Sequence, residues 1–192
     1  MLPTALRPTP VAVALLLLSA STGTLAAQDE WAMAERGISR LAPISFSKAP
    51  PKIIEALENR RCLVPQVAGD STPHSVVKGS FTRPGQTDWA ALCSRARAST
   101  IVIIWGGPSD CPDEMEVRQD KAYLIKGSDG TIRYLRKIEA VLPARIKALF
   151  SRYGGDPPPP LNHDGINDRF LGKGSVIRYC YEGKWRELTG EQ

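Results

Sequence analysis

The chain has 192 residues, with 25 lysines and arginines against 20 acids, four cysteines and two histidines. Its cations are scattered (Arg60-Arg61, Arg95, Arg97, Arg133, Arg136-Lys137) and never reach the density of a nucleic-acid arm, so no nucleic-acid partner is expected. No P-loop, dinucleotide fingerprint or histidine–glutamate zinc motif is present either.

The first residues read as an address. Arg7 precedes an apolar run, Val11 to Leu18, and small residues follow to Ala27. A charged start, a short apolar middle and a small-residue exit mark a secretory signal peptide. The run is too short for a membrane anchor, which needs about 20 apolar residues. Nothing later is apolar enough to span a bilayer, so no transmembrane segment is expected in the mature chain. Removing the first 27 of 192 residues leaves 165, one α+β domain over residues 28–192.

In chain order, "EWAMAERGI" predicts a short helix stopped by Gly37. "APPKIIEALENRRC" predicts a firmer one: Pro51 suits a first turn, and Ile53, Ile54 and Leu57 share a face. "AGDSTPHS" is loop by composition. "SVVKGSF", "DWAALCS" and "STIVIIWGG" read as strands separated by the turns "TRPGQT" and "RARA". The run Ile101 to Trp105, rich in β-branched residues, predicts a strand buried on both faces at the centre of a sheet. An acidic loop, "GGPSDCPDEMEVRQD", follows, and then a hairpin turning at Asp129-Gly130. Ile138, Leu142, Ile146, Leu149 and Phe150 recur at helical spacing, with Pro143 either starting or kinking that helix and Gly154-Gly155 ending it. "DPPPP" is a stiff link, "LNHDGINDRF" a turn, and "GSVIRYCY" with "KWREL" a final hairpin. The expected fold is α+β: a mostly antiparallel sheet of about five to seven strands with two main helices.

All four cysteines, Cys62, Cys93, Cys111 and Cys180, lie in the mature part. An even count in an exported chain predicts disulfides. Zinc sites favour closer pairs, two to four residues apart. Three pairings are open; short loops favour Cys62–Cys93 with Cys111–Cys180, since closing long loops costs entropy.

Two stretches echo each other. "FTRPGQTDWAAL" aligns with "LNHDGINDRFLG", matching Gly85 to Gly165 and Asp88 to Asp168. "STIVIIWGG" aligns with "SVIRYCYEG", matching Ser99 to Ser175 and Ile101 to Ile177. The echo units span 76–107 and 159–189, which suggests an internal duplication of a turn-strand unit; two ordinary hairpins would also look alike. The second turn resembles the "D-x-N-x-D-G-x-x-D" calcium loop of secreted FG-GAP and VCBS-type repeats, with Asn162, Asp164, Gly165 and Asp168 in matching slots and Pro160 where an aspartate belongs. Those families are mainly propeller blades, and this chain lacks the copies a propeller needs. The chain also resembles secreted bacterial proteins carrying "DWA-x-LCSR" and "W-x-x-L-x-G" segments, here Asp88 to Arg95 and Trp185 to Gly190; that resemblance implies no activity.

The calcium-loop resemblance implies a metal site formed by Asn162, Asp164, the Ile166 carbonyl and Asp168. Calcium takes six to eight oxygens, so waters would complete the shell, with affinity on the order of 0.1–1 mM. The bland alternative is a turn whose Asn and Asp side chains bond nearby amides. Asp164 with Asp168 could serve as a hydrolytic carboxylate pair, but turn aspartates are usually solvated. His74 and His163 read as surface loop residues, and no nucleophile-elbow pattern supports a triad. The tryptophans Trp31, Trp89, Trp105 and Trp185 could line a sugar face, with core packing the plainer fate of Trp105. The expected function is therefore an exported, disulfide-stabilised, non-catalytic binding or envelope-associated protein, periplasmic or extracellular, with an envelope or extracellular ligand. A secreted hydrolase is the alternative.

Overall fold

A computed structural model describes residues 22–191, with side chains described from Asp29 onward. The signal segment expected at 1–27 lies mostly outside the described residues; from Thr22 its last residues belong to the first helix, α1 (Thr22–Arg36). Gly37 closes that helix, its N–H bonded to the Met33 carbonyl at 2.9 Å. In α2 (Pro51–Asn59), Pro51 occupies a first-turn position that needs no N–H donor. Ile53 and Leu57, four apart, are its buried residues. In α3 (Pro143–Tyr153), Pro143 again opens the helix, Ile146 and Leu149 are buried, and Gly154 at φ +72 ends it.

The described residues form twelve strands. In chain order they are β1 (Arg40–Leu41), β2 (Val64–Pro65), β3 (Val76–Gly79), β4 (Asp88–Arg95), β5 (Ala98–Ile104), β6 (Arg118–Gln119), β7 (Leu124–Lys126) and β8 (Ile132–Tyr134), then β9 (Arg136–Val141), β10 (Gly165–Phe170), β11 (Gly174–Tyr181) and β12 (Lys184–Thr189). All pair antiparallel, in two four-stranded sheets ordered β3-β4-β5-β6 and β12-β11-β10-β9 and in two short pairs, β1-β2 and β7-β8. The α+β, mostly antiparallel character is as expected, but the strands outnumber the expected five to seven, and the described residues hold three α-helices. Strands of two or three residues, such as β1, β2 and β6, are too short to carry an alternating signal.

The helical spacing read from Ile138 to Leu149 crosses an element boundary. Ile138 belongs to β9, Leu142 is the exposed residue before the helix, and Pro143 starts α3 rather than kinking it. Likewise the turn expected through Asp168 stops at Asp164, because Gly165–Phe170 pairs with a strand on each side.

Strand alternation sorts the side chains into layers. Trp89, Ala91, Cys93 and Val102 face α2 and pack with Ile53 and Leu57. Ala90, Leu92, Ile101 and Ile103 face the second sheet and meet Phe81, Ile138 and Ile166. On that sheet's far side Val141, Ile177 and Tyr179 pack under Ile146 and Leu149 of α3. The order is thus helix, sheet, sheet, helix, with α1 and the β7–β8 pair forming a smaller core of Ile38, Leu124 and Tyr134. β5 is interior in its sheet and buried from Ser99 to Ile103, as the apolar run predicts.

Both disulfides form: Cys62–Cys93 and Cys111–Cys180. The first ties the segment after α2 to β4. The second ties the loop after β5 to β11, joining the two sheets.

Candidate functional site

β10 is central to the site because it is covered on both faces. Ile166, Asp168 and Phe170 point towards the first sheet, and Gly165, Asn167 and Arg169 towards α3. Asp168 stands opposite Ile138 on β9, and Arg136 stands opposite Phe170, so the register sets Arg136 diagonally beside Asp168. Their side chains form a two-pronged pair: Arg136 Nε and Nη2 each donate to Asp168 at 2.8 Å. Arg136 Nη1 donates to Ser99 Oγ across the sheet interface, and the guanidinium lies 4.2 Å from the centre of the Tyr123 ring. Both charges are buried. Burial works against the Arg136 charge, but the hydrogen bonds and charge of Asp168 outweigh it and hold the guanidinium above its ordinary value.

Asp168 is also part of the floor of a wide cleft. A cleft of about 540 Å³ lies between the 118–123 segment and the near face of β10, β11 and β12. Tyr123, Phe170 and Val176 give it an apolar wall, and Tyr123 meets Phe170 edge-on at 5.3 Å. Arg118, Lys173 and Arg178 bring cations to it. Its volume falls in the range of small-ligand sites. Burial raises the Tyr123 hydroxyl above its ordinary value, with Arg136 opposing.

The residues expected to ligate calcium each have partners within the fold. Asp164 accepts the Ser80 N–H through Oδ2 (2.8 Å) and donates its own N–H to the Ser80 carbonyl (2.8 Å). The Asn162 N–H donates to the Tyr179 hydroxyl, which donates to the Pro160 carbonyl. Ile166 is buried mid-strand, flanked by Arg178 and Ala140, and Asp168 is held by Arg136. These side chains tie the loop to its neighbours, and among the described residues no three His, Cys, Asp or Glu side chains gather as a cation cluster. Gly165 is not a turn glycine: a Cβ there would press on Ile146, Ile177 and the Arg178 carbonyl at 3.0–3.1 Å, so its bareness serves the seating of α3.

The echo joins residues with different work. Gly85 is at φ +80 in an open turn, unlike Gly165. Asp88 is buried and accepts from the Phe81 and Gly106 N–H groups and from Gln86, whereas Asp168 holds a guanidinium.

Neither histidine is a surface loop residue. His163 is buried and stacks on Tyr179, with ring centres 4.2 Å apart; it borders a smaller pocket with Asp110 and Glu182. His74 Nε2 accepts the Val67 N–H at 2.9 Å, so the neutral ring carries its proton on Nδ1, which donates to Ser75 Oγ at 2.9 Å. Ser75 itself is buried, and its Oγ also accepts the Ile138 N–H, so this pair is a structural tether between β3 and β9. The tryptophans share no single face: Trp89 packs under α2, Trp105 stacks on Trp185 beside the inter-sheet core, and Trp31 is exposed on α1.

Sequence reasoning missed the two charges that matter most here, Arg136 and Arg178, and also Asp120. That carboxylate is buried, accepting from Arg40 (Nη2 at 2.7 Å) and from the Ser94 hydroxyl at 2.6 Å. The one available signal was alternation: Arg136, Ile138 and Ala140 share a face, as do Val176, Arg178 and Cys180. No protein-family model, no curated protein and no solved structure matches this chain.

Proposed function

We propose that this is an exported, non-catalytic binding protein whose ligand occupies the cleft between the 118–123 segment and strands β10–β12. One observation carries the reading: an opening of about 540 Å³ with an aromatic wall stands on a floor already locked by the buried Arg136–Asp168 pair. A floor whose rotamers are held by packing and hydrogen bonds is pre-organised, and pre-organisation lowers the entropic cost of binding. The two disulfides are compatible with an oxidising compartment, and no helix among the described residues is long and apolar enough to cross a membrane. The secreted-hydrolase alternative finds less support, since the cleft brings together no histidine or unpaired carboxylate dyad that could share a proton.

Two-dimensional amide NMR of the oxidised protein against a library of small organic fragments tests this. Binders are expected to shift signals of residues 118–123, 170–178 and 187–189. A library that perturbs other surfaces and leaves these unmoved overturns the reading. Export is tested on the same gene: mass analysis of the exported fraction should show loss of about 27 residues, the length of the leader pattern.

A further inference from the structure

The cations around the cleft are unevenly compensated, and the imbalance specifies a ligand class. Each carboxylate on its wall is already engaged. Asp168 is held two-pronged by Arg136, Glu191 pairs with Arg145 and Arg169 on the far side of the sheet, and Glu187 pairs with Arg178. Arg178 receives less in return. It stands opposite Ile166 on one side and Glu187 on the other, which places it diagonally from Asp168. Its Nη2 is 3.9 Å from Asp168, beyond hydrogen-bond reach, and its buried Nε has no hydrogen-bond partner among the described residues. Its one close acceptor, Glu187, is more than half exposed and so weakly coupled through solvent. Burial lowers the Arg178 guanidinium from its ordinary value; Asp168 opposes this, and the like charge of Arg136 adds to it. Lys173 is exposed on the turn between β10 and β11, and Arg118 closes the other rim, paired among the described residues with exposed Glu116.

Beside these cations the wall is aromatic and apolar. The Tyr123 ring meets Phe170 edge-on, Val176 also lines the cleft, and Gly174 carries no side chain to fill the space. A bare inorganic anion would satisfy the cations and leave this wall in water. A neutral apolar ligand would cover the wall and leave Arg178 short of acceptors, which is costly for a largely buried charge. We infer that the cleft takes an organic anion, a carboxylate carried on an apolar body, with its charge on Arg178 and Lys173 and its body against Tyr123, Phe170 and Val176. This rests on the cleft being the binding place.

Three probes separate the two ideas in calorimetry and amide NMR of the oxidised protein: 1-naphthoate, its uncharged analogue 1-naphthamide, and acetate. Naphthoate should bind about tenfold or more tightly than naphthamide, the worth of one charge-assisted hydrogen bond. Acetate should be weaker than naphthoate, and added salt should narrow the naphthoate advantage. Arg178→Gln should erase that advantage while naphthamide still shifts the same signals. Lys173→Gln, on an exposed turn and therefore safe for folding, should reduce it by a smaller factor. Equal binding of naphthoate and naphthamide at the cleft residues would overturn the anion and leave the cleft standing. Failure of all three probes to move cleft residues would overturn both, and an advantage surviving both substitutions would overturn the assignment to these cations.

Discussion

His74 illustrates how a half-buried polar side chain acquires a structural role. Its Nε2 accepts a backbone N–H, so the folded protein needs the ring neutral at that nitrogen. Burial lowers its affinity for a proton, Asp70 works in the opposite direction, and Lys137 adds to the lowering. The folded value therefore lies below the ordinary one, so the unfolded chain binds more protons between the two, and stability rises with pH there. The contribution is complete above the unfolded value of about 6.5 and is lost as pH falls through the lower folded value. Urea midpoints between about pH 5 and pH 8 should therefore decline on the acid side. In His74→Gln, whose side-chain oxygen can still accept from Val67, that decline should be shallower. Equal slopes for the two proteins would remove His74 as the cause.

At the scale of elements, the buried pair Arg136–Asp168 fixes how β9 lies on β10 and how both meet the first sheet through Ser99. A one-residue slip of either strand would turn its charge into the α3 layer, among Val141, Ile146 and Leu149, and part it from its partner. Asp168→Asn keeps the shape but strands a buried guanidinium, and it should cost about 3–5 kcal/mol in chemical denaturation. The double change Arg136→Met with Asp168→Leu should recover much of that loss, because apolar residues of similar volume need no desolvation. If the single change costs no more than an exposed pair would, the pair does not hold the register. The same two strands were the hardest to read from sequence. Ile138 fell into a helical spacing with Ile146 and Leu149, and "NHDGIND" carries the composition of a turn. Charges inside a strand look like surface until a partner strand is known, and only β9 reveals what Asp168 is for. By contrast α2, β5 and the β11–β12 hairpin were legible, because a proline start, an unbroken β-branched run and a Glu182-Gly183 turn are local signals.

Across the whole molecule, two covalent ties span the layers. Loops of 31 and 69 residues are closed by Cys62–Cys93 and Cys111–Cys180. Chain-entropy reasoning puts each at about 4 kcal/mol of stabilisation, a large share of the 5–15 kcal/mol typical of a domain. Full reduction should lower the thermal midpoint well below that of the oxidised protein. A midpoint indifferent to reduction would mean that the stacked layers hold without their staples. By itself the sequence determined the local matters: α2, the β4–β5 and β11–β12 hairpins, the central β5 strand, and the presence of four cysteines whose shorter loops are the ones closed. Each depends on residues within a few positions of one another, or on the modest cost of closing a loop. Only the tertiary structure decided the rest. It turned "LNHDGINDRF" from a turn into a loop clasped to Ser80 and a strand buried between sheet and helix. It paired Asp168 with Arg136, left Arg178 short of acceptors, and opened the cleft between them and Tyr123. The physical reason is one of range: a buried charge is defined by its partner, and here the partners lie on other strands.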